Sequence, residues 1–165
     1  MVMEQVSEYQ VLSALTDKLK ELGLSISSAE SCTGGNIAHA ITLQPGSSAY
    51  YKGSVVSYCN EVKMSVLGVK QESINKETEI SGIVAKEMAE GVKRLMHTDI
   101  GVSTTGIAGP TGALSGKPVG TVYIAAANGI STKVKRFEFI GDRECVIKQA
   151  TNAAIEMACE AIKSL

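Results

Sequence analysis

Residues 24–43 read LSISSAESCTGGNIAHAITL, and the fold turns on how this stretch breaks. LSISSA has strand character, whereas from Thr33 to about Leu43 the apolar residues fall at helical spacing until Pro45-Gly46 ends the run. A strand that passes through a glycine turn directly into a helix must bury both elements against others, which predicts a sheet with helices packed on it.

Working outward, Leu12, Leu15, Leu19 and Leu22 recur at three- and four-residue spacing and predict a first helix that stops at Gly23. GSVVSYCN (53–60) is rich in β-branched residues and reads as a second strand, followed by a short helix from Glu61 to Leu67. From Thr78 to His97 the apolar positions Ile80, Ile83, Val84, Met88, Val92, Leu95 and Met96 mark a long helix. DIGVSTT (99–105) is a third strand. GTVYIAAA (120–127) and STKVKRFEF (131–139) form an antiparallel pair joined through Asn128-Gly129, a dipeptide that tolerates positive φ. The last helix starts after Gly141-Asp142, with Val146, Ala150, Ala153, Met157, Ala161 and Leu165 on one stripe. The order α-β-α-β-α-α-β-β-β-α predicts the α/β class: a single-domain α/β/α sandwich over 1–165 with a mixed sheet of about five strands, parallel plus antiparallel. AGPTGALSGK (108–117) has no periodicity and is expected to be a mobile loop near a ligand.

Composition removes several function classes. Sixteen basic against seventeen acidic residues leave a net charge of -1, which favours neither nucleic acid nor an anionic membrane. The opening MVMEQVSEYQ has no basic n-region or apolar h-region, and no run approaches a membrane span, so a cytoplasmic location is expected. Four cysteines without a CxxC pair argue against a zinc ribbon, a redox motif or a disulfide scaffold. His39 and His97 form no ligand set of HExxH type, so no metal is expected. Absence of Trp and only two Phe leave no aromatic platform for nucleic-acid bases.

Two segments concentrate chemistry. At Ser31-Cys32-Thr33-Gly34-Gly35 a hydroxyl, a thiol and bare amides meet the positive end of a helix, where a phosphate or a developing oxyanion is able to approach. The plainer reading is that Ser31 or Thr33 caps the helix. Cys32 suits a small buried residue better than a nucleophile. In VVSYCNEVK, Asn60 is placed to cap the next helix and Lys63 falls in its first turn, where the dipole and any burial both disfavour an ammonium. That makes Lys63 a candidate general base, with the Tyr58 hydroxyl placed to orient it or to donate to the reacting group. A solvated lysine paired with Glu61 is the alternative. The two strand-to-helix crossings are of one kind, and catalytic groups of open α/β sheets gather at the carboxyl ends of neighbouring strands.

With AESCTGG (29–35), PGSS (45–48), GSVVSYCNEVK (53–63), TGIAGPTG (105–112), KPVGTVY (117–123) and GDRE (141–144), the sequence resembles the CinA C-terminal domain family over nearly its whole length. Ser54 and Cys59 stand where that family commonly has Gly and Ser. Stand-alone members include nicotinamide mononucleotide (NMN) deamidases. The resemblance therefore implies hydrolysis of the NMN carboxamide to nicotinic acid mononucleotide and ammonia, without a cofactor, in pyridine nucleotide recycling. On matching positions Ser31 becomes the nucleophile, Lys63 its base and Tyr58 a supporting hydroxyl. Thr33, Gly34, Gly35, Ser48, Asn60, Thr105, Gly109 and Arg143 are expected to bind the substrate, with Arg143 or a glycine turn meeting the phosphate. Arg143 paired with an acid beside the last helix is the structural alternative. A non-catalytic nucleotide-binding module linked to competence or DNA damage is the rival reading. Partners are expected to be the nucleotide alone, with no nucleic acid and no membrane. The alanine-rich last helix suits a homodimer contact and an internal contact equally.

Overall fold

In the computed structural model, which describes residues 2–165, five strands form one mixed sheet in the order β2-β1-β3-β4-β5. They are β1 (Ile26–Glu30), β2 (Tyr51–Val56), β3 (Ile100–Gly106), β4 (Thr121–Ala127) and β5 (Thr132–Glu138). β1 runs parallel to both β2 and β3, while β4 is antiparallel to its neighbours β3 and β5. Six helices flank the sheet: α1 (Val2–Leu22), α2 (Asn36–Thr42), α3 (Asn60–Ser65), α4 (Gln71–Glu77), α5 (Gly82–Met96) and α6 (Arg143–Ile162). Among the described residues no helix is long and apolar enough to cross a membrane.

Strand alternation sorts the core into two layers. Ile26, Ile100, Val102, Val122 and Ile124 point to one face, where they pack with Leu15 and Leu19 of α1, Ile37 and Ile41 of α2, and Val146, Ala150 and Met157 of α6. Ala29, Ala125 and Ala127 point to the other, under Val84, Ala85, Met88, Ala89 and Val92 of α5. Residues on the α5 face are small because the helix lies close. A Cβ on Gly101 would collide with the Ala89 carbonyl, and the Ser103 hydroxyl donates to the Ala85 carbonyl at 2.6 Å. β1 is buried along its whole length, as a central strand covered on both faces must be.

Several element boundaries differ from the sequence expectation, each for a local reason. α2 begins at Asn36, three residues later than expected, because Gly34 and Gly35 both take positive φ (56° and 102°). β2 ends at Val56, which frees Tyr58 and Cys59 from the sheet. Asn60 lies inside α3 rather than capping it; the cap position is Cys59, whose side chain makes no capping bond. α5 begins at Gly82, where Ser81 Oγ accepts from the Val84 amide at 3.3 Å, and not at Thr78, whose φ of 72° is incompatible with a helix. The sequence pattern does not predict α4, since QESINKE offers one apolar residue and no stripe. The hairpin at Asn128-Gly129 is a longer loop than a two-residue turn: the Asn128 amide donates to the Ser131 carbonyl at 3.1 Å, and its side-chain oxygen accepts from the Ile130 and Ser131 amides.

Candidate active site

β1 and β3 end side by side, pointing their carboxyl ends at one pocket of about 490 Å³. Ser31 follows β1 directly, and its amide donates to the Thr104 carbonyl of β3 at 3.0 Å, so the residue is fixed by the sheet itself. From the next crossing, Lys63 reaches back beneath it. Its amide closes the first turn of α3 on the Cys59 carbonyl at 3.2 Å. The side chain is only 1 % exposed, with Nζ donating to the Ser57 carbonyl at 2.7 Å and lying 3.0 Å from Ser31 Oγ. Burial pushes the Lys63 ammonium below its ordinary value, against an opposing pull from Glu79 and smaller ones from the Cys59 and Cys32 thiols. A hydroxyl and a desolvated amine thus lie at hydrogen-bond distance, the geometry that a serine nucleophile and its base require.

Cys32 sits beside them but is chemically quiet. Burial pushes its thiol up to about 12, so it stays protonated at neutral pH.

The expected anion site at the start of α2 is already filled. Glu30, fully buried, turns its carboxylate onto the helix terminus and accepts from the amides of Gly35 (3.0 Å), Ile37 (3.1 Å) and Ala38 (2.9 Å). The hydroxyls of Thr33 (2.7 Å), Ser54 (3.2 Å) and, more distantly, Ser28 (3.4 Å) complete its shell. The chain thus supplies its own anion to the helix dipole, and neither Ser31 nor Thr33 acts as the cap. Thr33, Gly34 and Gly35 consequently lie outside the pocket wall. Ser48, on an exposed 3-10 turn at Ser47–Ala49, is outside it as well.

Tyr58, Asn60, Thr105, Gly109 and Arg143 do line the pocket. Thr105 donates its hydroxyl to the Glu79 carbonyl at 2.8 Å, tying the end of β3 to the segment before α5. Arg143, the first residue of α6, donates to the Gly109 carbonyl at 2.6 Å and to the Tyr58 hydroxyl at 2.7 Å. Its partners are therefore a carbonyl and a phenol, not an acid, and Tyr58 is bonded to Arg143 rather than to Lys63. The segment 108–117 is less free than its composition suggests: Leu114 and Lys117 exchange backbone hydrogen bonds, and Lys117 Nζ donates to the Glu77 and Ile80 carbonyls. Among the described residues no cluster of His, Cys, Asp and Glu is arranged to hold a metal.

Two acids in this region, Glu30 and Glu79, went unread in the sequence. The signal for Glu30 is an acid at a strand end with two glycines four and five residues on. Glu79 carried none, being one charge in a polar stretch between helices.

Residues 8–162 match the CinA C-terminal domain family, which accounts for every element around the pocket. The chain belongs to the CinA C-terminal domain family. Among its relatives, a CinA-like protein of Endomicrobium trichonymphae is 50% identical over 133 residues, covering 81% of this chain and 31% of that protein. A putative competence-damage inducible protein of Halothermothrix orenii is 48% identical, covering 86% of the chain and 36% of the relative. The chain thus spans about a third of the length of these curated relatives. Solved CinA structures of similar size exist. A CinA superfamily protein from Klebsiella pneumoniae superposes with a TM-score of 0.91 at 32% identity, covering 96% of this chain and 99% of that one. A competence/damage inducible protein from Agrobacterium tumefaciens gives 0.89 at 34% identity, with 93% and 94% coverage.

Proposed function

We propose that this CinA-family chain is an amidohydrolase that deamidates NMN to nicotinic acid mononucleotide and ammonia through Ser31 and Lys63. The observation that carries the reading is the 3.0 Å separation between Ser31 Oγ and a buried Lys63 Nζ at the floor of the pocket. A module that only binds nucleotides has no use for an amine held out of water next to an alcohol.

The steps follow from the contacts. Neutral Lys63 takes the Ser31 proton as Oγ attacks the carboxamide carbon, with the Ser57 carbonyl holding Nζ in place. The resulting oxyanion needs donors that are not already engaged. Gly34 and Gly35 are excluded, because their amides serve the Ser31 carbonyl and Glu30. Cys32, Ala108 and Gly109 border the pocket, and their amides donate to no backbone carbonyl among the described residues, which favours them for this role although the Cys32 amide also meets its own thiol. Lys63 then passes its proton to the departing nitrogen, releasing ammonia and leaving a Ser31 ester. Water, deprotonated by the same amine, cleaves that ester and restores Ser31. Arg143 at the exposed rim is the guanidinium available to the substrate phosphate.

Incubating the protein with NMN and following ammonia and nicotinic acid mononucleotide tests the reading. Wild type is expected to form both in equal amounts. Ser31→Ala is expected to lose about 10³-fold or more in kcat, as removal of an activated nucleophile does elsewhere, while keeping its cooperative thermal transition. Absence of product from the wild-type protein, or full turnover by Ser31→Ala, refutes the proposal.

A further inference from the structure

Of the residues lining the pocket, Glu79 is the one carboxylate. The segment that bears it is fixed from several sides. Thr105 Oγ1 donates to the Glu79 carbonyl at 2.8 Å, Lys117 Nζ donates to the Ile80 carbonyl at 2.6 Å, and Ser81 Oγ donates to the Thr78 carbonyl at 3.1 Å. The carboxylate itself, half-buried, accepts no hydrogen bond and forms no ion pair among the described residues. A fixed backbone therefore places a carboxylate with no bonded counter-ion in the pocket lining, where its charge acts on Lys63. Arg143, the exposed cation of the same pocket, comes from α6 on one face of the sheet, whereas Glu79 leads into α5 on the other. The pocket is thus negative on one side of the strand ends and positive on the other, with Ser31 at the end of the strand between them.

Lys63 forms no ion pair with Glu79 among the described residues; its Nζ is directed to Ser31 and the Ser57 carbonyl, and in the deamidase reading the amine is uncharged when it takes the Ser31 proton. The counter-charge must then arrive with the substrate. A nicotinamide ring substituted at its nitrogen is a pyridinium, carrying a positive charge within the ring whose carboxamide is attacked, and its phosphate lies beyond the ribose.

Resting on the deamidase reading, we infer that Glu79 is the specificity-determining residue that recognises the cationic ring, so that the substrate class is N-substituted pyridinium carboxamides and a carboxamide on an uncharged ring is discriminated against. Ion pairing of Glu79 with the ring and of Arg143 with the phosphate fixes which end of the zwitterion enters first.

The test compares NMN with its 1,4-dihydro form, which keeps the carboxamide, ribose and phosphate but has a neutral ring. Dissociation constants are measured by calorimetry in the Ser31→Ala background, where turnover does not interfere, with and without Glu79→Gln. This substitution is isosteric and removes no hydrogen bond. Ser31→Ala is expected to bind NMN about tenfold or more tighter than the dihydro form, the scale of one partly desolvated charge pair. Adding Glu79→Gln is expected to bring the ratio to within about threefold through loss of NMN affinity alone, again on the scale of one such pair. A general distortion would weaken both ligands equally, and an effect through Lys63 alone, whose charge repels the cationic ring, would raise NMN affinity instead of lowering it; either result overturns the inference. A Glu79-dependent ratio without ammonia release by the wild-type protein overturns the deamidase reading and upholds the charge recognition. Ammonia release with a Glu79-independent ratio does the reverse, and failure to bind either ligand overturns both.

Discussion

Replacing Lys63 by Met separates the chemistry of the amine from its packing. Met is unbranched and close in volume, so it fills the space below Ser31 without a cavity. What it lacks is the amine lone pair that the deamidase reading assigns to the Ser31 proton, 3.0 Å away, and the bond to the Ser57 carbonyl at 2.7 Å. Loss of a positioned base lowers kcat by about 10²–10⁴-fold. In the wild type, activity is expected to rise with pH as Lys63 deprotonates, with the midpoint of kcat/KM below the ordinary lysine value of 10.5, because burial destabilises the ammonium more than Glu79, Cys59 and Cys32 restore it. In Lys63→Met that limb disappears. Stability gives a second, independent readout. The folded pKa lies below the unfolded one, so between the two the unfolded chain binds the extra proton. Burying Lys63 therefore costs stability below the folded pKa, and the cost fades as pH rises toward 10.5. The stability of Lys63→Met relative to wild type is accordingly expected to be most favourable near neutral pH and to decline at alkaline pH. Urea unfolding at pH 7, 8.5 and 10, beside steady-state ammonia release, measures both. Turnover within tenfold of wild type, or a relative stability independent of pH, refutes the buried-base argument.

Glu30→Gln places an amide nitrogen among six hydrogen-bond donors, of which it can oppose at least one amide and one hydroxyl. The expected cost is about 2–4 kcal/mol in urea unfolding, from buried donors left unpaired at about 1–3 kcal/mol each. A change below 0.5 kcal/mol, about the size of a surface substitution, would mean that the carboxylate is not what holds the α2 terminus. Arg143→Ala is expected to raise KM for NMN by about 10–100-fold with kcat within a few fold, the scale of a charged hydrogen bond to phosphate. The same variant should be indifferent to a phosphate-free nicotinamide riboside, and equal losses on both substrates would remove Arg143 from phosphate recognition.

Much of this arrangement was legible because it is local. The β1-α2 and β2-α3 crossings each announce themselves by a strand-like run, a turn and a helix start. Two such crossings on neighbouring parallel strands bring Ser31 and Lys63 to one edge without further information. The hairpin and α6 were readable for the same reason: Asn128-Gly129 and Asp142 act on residues within three positions. Elements decided by distant partners were not. α4 is stabilised by contact with α5, Ser73 Oγ and the Lys70 amide both donating to the Glu87 carboxylate, and nothing in its own seven residues predicts it.

Glu30 shows how a misplaced boundary changes a functional argument. Starting α2 at Thr33 leaves the terminal amides open and makes the glycine turn look like a cradle for phosphate or oxyanion. With Gly34 and Gly35 in left-handed conformation the helix starts at Asn36, and the amides of Ile37 and Ala38 swing onto the residue just before Ser31. The dipole of α2 is then spent on an internal carboxylate. Two consequences follow. Ser31 is held rigidly, since the residue preceding it is bonded on every side. In the deamidase reading, stabilisation of an oxyanion also falls to amides outside α2, at Cys32 beside Ser31 and at Ala108 and Gly109. The same backbone turn therefore fixes Ser31 and keeps the first amides of α2 from the pocket.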